Sequence, residues 1–305
     1  MSDAGDRSLV ARILGGIAAL PSGTPTVEPL GGGLTNRNFR VEVGGEAFVL
    51  RLGGHGTREL GIDRTREEAA MRIAAELGVG AEVVHADPAA DVLVTRWVPG
   101  RPLLADDVRR PATLERIAAA VRRIHEGPAF PGVFSPFETV RDYHRRATER
   151  GVAFPGAAAR ALELSDRIEA ALGAAEPLAP CHNDLLPANL IDDGDRVRII
   201  DWEYAAMGQA AFDLGNLAVN AALDAAATGH LLALHPAGRS ARAQARVALM
   251  RIASDLREAF WGFLQLGLSQ IAFDFRAYAQ SHLDRVLEGA AHPDLARHLD
   301  EAASG

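Results

Sequence analysis

The chain has 305 residues, is 48% apolar and 6% aromatic, and carries a formal net charge of −8. It is long enough for two lobes around a cleft, and its negative balance excludes the basic surface that non-specific nucleic-acid or anionic-membrane binding needs. One cysteine, Cys181, rules out an intramolecular disulfide or a thiolate metal cluster, and lysine is absent, so every task usual for lysine falls to arginine.

Asp3 and Asp6 stand where a secretion signal would carry positive charge, and no uncharged apolar run approaches the ~20 residues of a membrane span. A cytoplasmic protein with no membrane span is expected. Leu9, Val10, Ile13, Leu14, Ile17 and Leu20 follow helical spacing and predict a helix over residues 8–19. A short strand over 27–30 leads into Gly31-Gly32-Gly33-Leu34-Thr35-Asn36-Arg37-Asn38. Alternating strands over 38–43 and 46–52 meet at Gly44-Gly45, a two-residue hairpin turn. Backbone N–H groups of the glycine run can approach phosphate oxygens with no Cβ in the way, and Thr35 and Asn36 add donors. Three glycines alone are a weak signal, because most such runs are only turns.

Arg51 closes the third strand. A helix over 64–77 follows, then strands over 83–86 and 92–95, and Arg96-Trp97-Val98-Pro99-Gly100 forms the passage into a helical half. Leu114, Ile117, Val121 and Ile124 mark the core face of its first helix. Residues 127–137, rich in Pro and Gly, read as a loop, followed by helices over 140–150 and 157–172. Beyond Asn220 the pattern is mostly helical, broken at Thr228-Gly229-His230 and His235-Pro236-Ala237-Gly238, with a long helix over 241–268. Phe263, Phe273 and Phe275 read as core.

The chemistry concentrates in Cys181-His182-Asn183-Asp184-Leu185-Leu186-Pro187-Ala188-Asn189 and Asp201-Trp202-Glu203-Tyr204. Apolar runs over 189–191 and 197–200 flank Asp192-Asp193-Gly194-Asp195, which predicts a hairpin. That hairpin returns Asp201 to the side of Asn189, with Asp184 close by. Hard oxygen ligands of this kind suit Mg²⁺ together with substrate phosphates, and Asp184 is left to orient a hydroxyl and take its proton. Singly, such an Asp is more often a cap or turn residue, and a lone His a satisfied core histidine; the combination carries the signal. A zinc site at Cys181-His182 lacks a second Cys or a paired His at ligand spacing.

The spacing His-x-Asp with Asn five residues after the Asp matches the catalytic loop of protein kinases. Protein kinases continue with Asp-Phe-Gly and Ala-Pro-Glu, which this chain lacks. The runs Gly-Gly-Leu-Thr-Asn-Arg-Asn-Phe, Ile-Asp-Trp-Glu-Tyr-Ala and Phe-Asp-Leu-Gly-Asn-Leu instead resemble the choline/ethanolamine kinases, within the aminoglycoside phosphotransferase-like superfamily. The resemblance covers residues 31–278. It implies a two-lobed, protein-kinase-like α+β fold, with an antiparallel-sheet nucleotide lobe over 1–97 and a helical lobe over 98–305.

It also implies roles. Arg51 would meet the ATP phosphates and pair with Glu67, Glu68 being the neighbour it could be confused with. Arg96 and Val98 would offer backbone groups to adenine. His182 would pin the loop, and Asp213 would bind the loop's backbone. Glu203, Tyr204, Trp261 and Tyr278 would line the alcohol site, where aromatic faces suit a quaternary ammonium. The expected activity is ATP- and Mg²⁺-dependent phosphorylation of a small amino alcohol, choline first. Ethanolamine, an aminoglycoside or another hydroxylated metabolite are the alternatives in the same class, and a non-catalytic nucleotide-binding module is the alternative outside it.

Overall fold

The computed structural model describes residues 3–31, 36–54, 57, 59–173 and 177–304. Helix α1 (Asp3–Gly15) precedes strands β1 (Thr26–Leu30), β2 (Arg37–Val43) and β3 (Glu46–Leu52). Helix α2 (Arg64–Glu76) and strands β4 (Val83–Asp87) and β5 (Val92–Arg96) complete the first lobe. Its sheet runs β1-β2-β3-β5-β4, every neighbour antiparallel. Gly44 and Gly45 turn β2 into β3 at φ 60° and 82°, values that any side chain would resist.

Alternation decides which way β3 faces. Phe48, Leu50 and Leu52 point to one side, where Val10, Leu14 and Ile17 of the N-terminal segment close a small core with Phe39, Val41 and Val94. Arg51 therefore points to the other side, towards α2. The apolar residues of α2, Ala70, Met71 and Ala74, belong to the large core that runs through the rest of the molecule. One continuous core thus supports both the small lobe's inner face and the helical lobe.

Trp97 N–H donates to Ala47 O at 2.9 Å, still on the sheet, whereas β6 (Arg101–Pro102) pairs with a strand of the second lobe. The chain crosses between lobes in those few residues. Then come α3 (Ala105–Val108), α4 (Pro111–His125), α5 (Pro136–Glu149) and α6 (Ala157–Leu172). Short strands β7 (Ala179–Cys181), β8 (Leu190–Asp192), β9 (Val197–Ile199) and β10 (Ala206–Gly208) form the floor of the cleft. Helices α7 (Ala210–Asn220), α8 (Ala225–Leu234), α9 (Ala241–Leu268), α10 (Phe275–Ala291) and α11 (Leu295–Ala303) finish the lobe. Buried α9 is the element that α5, α7, α10 and α11 pack around. At Gly215 an added Cβ would lie 2.8 Å from the Arg251 backbone nitrogen, so this glycine lets α7 sit against α9.

Several boundaries differ from those predicted. Helix α1 begins and ends earlier than residues 8–19. Helix α5 starts at Pro136 because the Ser135 hydroxyl caps it and proline fits the first turn, although residues 127–137 read as loop. Thr228-Gly229-His230 is no break; it lies inside α8, capped by Asp224. Among the described residues no helix is long and apolar enough to cross a membrane.

Candidate active site

The floor hairpin pairs Leu190 with Ile199 and Ile191 with Arg198, and Ile200 N–H donates to Asn189 O at 2.9 Å. This register returns Asp201 beside Asn189. Two non-glycine residues here hold left-handed backbone, Asn183 at φ 64° and Asp201 at φ 66°. Such conformations cost of order 1–3 kcal/mol and persist only where the surroundings enforce them.

The surroundings do so from three sides. Asp213 on α7 accepts from His182 N–H at 2.9 Å, from Asn183 N–H at 2.7 Å and from His125 Nε2 at 2.9 Å. Asn216, one turn on, accepts from Leu185 N–H at 2.6 Å and donates to Ser254 Oγ on α9. His182 is fully buried; its Nδ1 accepts from Asp184 N–H at 3.2 Å and its Nε2 donates to Ile200 O at 3.0 Å. Those bonds require the neutral tautomer protonated at Nε2, and burial lowers the ring's pKa accordingly. Burial alone would raise the Asp213 carboxyl, but the hydrogen bond from His125, with that from the His182 backbone, outweighs it and holds it below the ordinary range.

Asp184, at the tip of this loop, accepts from Arg257 Nη2 through Oδ1 at 2.6 Å. Arg257 Nη1 donates to Asn183 O at 2.9 Å. Its guanidinium also pairs with Glu258, which accepts from the Tyr278 hydroxyl at 2.6 Å, and it lies 5.2 Å from the Tyr204 ring centroid. Burial raises the Asp184 pKa, and Arg257 offsets only part of that. Trp261 packs edge-on to Tyr278 and Phe275, with centroids 5.6 and 5.7 Å away.

Across the cleft Arg51 forms a two-pronged ion pair with Glu67, one contact at 2.7 Å. Burial would weaken both charges, yet each stabilises the other, so Arg51 is raised and Glu67 lowered. Arg64 donates to Glu67 at 2.9 Å, to Glu203 at 3.1 Å and to Asn36 Oδ1 at 2.8 Å; Asn36 Nδ2 in turn donates to Glu203 at 3.3 Å. Glu203 is thus joined to the small lobe, and no described contact joins it to Trp261 or Tyr278. Glu68 pairs instead with Arg72 at the surface.

Arg96 is exposed and ion-paired to Glu46 and Glu82, Val98 is half-buried, and Thr35 lies outside the described residues. Burial first, and then Glu203, push the Asp201 carboxyl well above its ordinary value despite Arg51. Asp201 has no ion-pair partner among the described residues. Asn189 spends its amide nitrogen on Asp184 O at 3.1 Å, leaving Oδ1. A hard, unpaired carboxylate beside an amide oxygen and further acidic charge fits a divalent cation such as Mg²⁺. His125, Cys181 and Asp213 also offer atoms within 4.8 Å of one another, but Asp213 is already spent on three hydrogen bonds.

A model of the phosphotransferase enzyme family, APH, matches residues 26–249. A choline/ethanolamine kinase family protein from Mesorhizobium loti superposes over 100% of both chains with a TM-score of 0.84 and 32% identity. The chain belongs to the choline/ethanolamine kinase branch of that family. This phosphotransferase is also 30% identical over 209 residues to protein LicA of Haemophilus influenzae, covering 66% of this chain and 60% of LicA. With the rat choline/ethanolamine kinase it shares 26% over 217 residues, 63% of this chain and 53% of that one. It therefore spans little more than half the length of the curated relatives it matches here. Its kinase-like fold is the one that the resemblance to the choline/ethanolamine kinases implies.

Arg64, Arg257 and Glu258 carry no sequence-level assignment, and Asn216 and His125 acquire their partners only in three dimensions. A signal for Arg257 did exist. It lies on the helical face of Ala253 and Phe260, among residues that read as core, where an ordinary solvated arginine has no place.

Proposed function

We propose that this phosphotransferase moves the γ-phosphoryl group of ATP to the hydroxyl of a small amino alcohol, choline first. The observation that carries the reading is the buried Asp184 carboxylate, with one oxygen held by Arg257 and its loop clamped by Asp213 and Asn216. The acceptor oxygen forms a bond to phosphorus, the bond from phosphorus to the bridging oxygen of ADP breaks, and the hydroxyl proton passes to Asp184 Oδ2. A base raised by burial is better matched to this proton than an exposed carboxylate. Arg51, oriented by Glu67, faces the phosphates; Thr35 and Asn36 are assigned from the sequence as further donors to them, and the backbone of Arg96 and Val98 meets adenine. Asn189 Oδ1 and Asp201 would hold Mg²⁺, which supplies charge neutralisation at the phosphate oxygens.

Tyr204, Trp261 and Tyr278 are assigned to the alcohol's ammonium. The cation–π contact favours a second reading, ethanolamine: Arg257 already occupies a face of Tyr204 that a quaternary ammonium would need. An ADP-release screen over choline, ethanolamine, thiamine and aminoglycosides tests the class. Trp261→Ala separates the two alcohols: with choline as substrate, kcat/KM should fall about 5- to 30-fold more than with ethanolamine. Equal losses make Trp261 a packing residue, and no turnover of either alcohol removes the acceptor assignment.

A further inference from the structure

We propose that Arg257 is the positioning residue of the transfer, binding Asp184 Oδ1 and Asn183 O together so that only Asp184 Oδ2 remains to receive the acceptor's proton. The inference rests on the phosphotransfer reading of Asp184.

Arg257 comes from the middle of α9, 73 residues beyond Asp184, and is nearly fully buried. One guanidinium nitrogen, Nη1, reaches the carbonyl of Asn183, the residue held at φ 64°. The other, Nη2, reaches the carboxylate next to it. The two bonds pin both sides of the peptide that presents the base, at the point where the backbone departs from its relaxed conformation. Only a planar fork does this: an ammonium radiates donors from one atom and cannot span the two acceptors in the same way.

The fork is itself held. Glu258 pairs with it from the next position on α9, and the Tyr278 hydroxyl on α10 fixes Glu258. A continuous chain, Tyr278 to Glu258 to Arg257 to Asp184, therefore links the aromatic cluster containing Trp261 to the base. The same chain fixes which carboxylate oxygen is available, because Oδ2 has no described partner and Oδ1 has one.

Arg257→Lys keeps the charge and loses the fork, and it decides the matter if Arg257→Ala does not fold. We expect kcat to fall about 10-fold or more while KM for ATP stays within about twofold. In Arg257→Ala the loss should be deeper, and added guanidinium at millimolar concentration should restore part of kcat, with no effect on Asp184→Ala. The same variants are assayed for ATP hydrolysis by water, which needs the base but no alcohol, so a wrong acceptor class leaves this arm intact. A kcat for Arg257→Lys within about threefold of wild type in both assays overturns the proposal. So does a loss confined to KM for ATP, which would make Arg257 a scaffold for the nucleotide side.

Discussion

Replacing Asp213 by asparagine exchanges one carboxylate oxygen for an amide NH₂ and should unfasten the catalytic loop. In the wild type, Asp213 Oδ1 accepts from Asn183 N–H, while Oδ2 is shared by His182 N–H and His125 Nε2–H. The asparagine oxygen can keep one of these sets, and its amide hydrogens then confront the donors of the other, Asn183 N–H at the least. His125 cannot absorb the change by switching tautomer. Its Nδ1 accepts from His235 Nε2 at 3.1 Å, and His235 Nδ1 accepts from Ala237 N–H at 3.2 Å, so a switch only moves the clash to Ala237. Hydrogen bonds to a charged group contribute about 1.5–3 kcal/mol each and neutral ones about 0.5–1.5, so losing one and leaving the other two on a neutral acceptor costs about 3–6 kcal/mol. Melting should fall by roughly 5–10 °C, and kcat by about 10-fold or more as Asp184 loses its support. The assays are thermal melts and ADP release on the same preparation. A carboxyl held below its ordinary value stabilises fully above that value, 3.8, and loses its contribution as pH falls through the folded value. Asp213→Asn should therefore also flatten the acid side of the stability profile. A melt within about 2 °C of wild type, with turnover within about threefold, would refute the clamp.

Asp184→Ala should abolish turnover while nucleotide binding persists; retention of more than about a tenth of wild-type kcat removes Asp184 from the role of base. Asp201→Ala should weaken ATP binding in the presence of Mg²⁺ and leave Mg²⁺-free binding little changed, as titration with and without chelator will show. Arg51→Met should raise KM for ATP and lower kcat, and Arg51→Lys should recover part of both; wild-type kinetics in Arg51→Met would place this arginine outside the phosphate site. Burial first, and then the neighbouring His125, push His235 down to about 4. A histidine whose folded pKa lies below the unfolded 6.5 stabilises fully above 6.5 and loses that contribution between 6.5 and 4. Melting should decline over that range, and less steeply in His235→Asn, which carries no group that titrates there.

Local pattern was enough for the parts of the fold that local physics decides. Gly44-Gly45 between alternating runs defines the β2–β3 hairpin, and apolar periodicity bounded by Gly173 and Ser240 defines α6 and the start of α9. The hairpin pairing Leu190 with Ile199 follows from the same reasoning, and with it the return of Asp201 to Asn189. Long-range pairings were not legible. Strands β7 and β10 are three residues each, and they exist because Cys181 pairs with Ala206 across the catalytic loop. The direction of Glu203 was invisible too. It follows Asp201 and precedes Tyr204 in sequence, and only the placement of α2 gives it Arg64 as partner instead of the aromatic cluster. Arg257 stood in plain view as a charge on an apolar face, but its target lies on another element.

Among the described residues, the cations that face this cleft are guanidinium groups: Arg51 and Arg64 from the small lobe, Arg257 from the large one. That choice has a consequence for anyone handling the protein. Acyl-phosphate nucleotide probes and other amine-directed labels mark kinases through a lysine beside the phosphates, and this chain has no lysine side chain anywhere to accept them. Dicarbonyl reagents that condense with guanidinium are the complementary tool. In a cell extract surveyed by lysine-directed chemistry this cleft would pass unseen, however active the protein was.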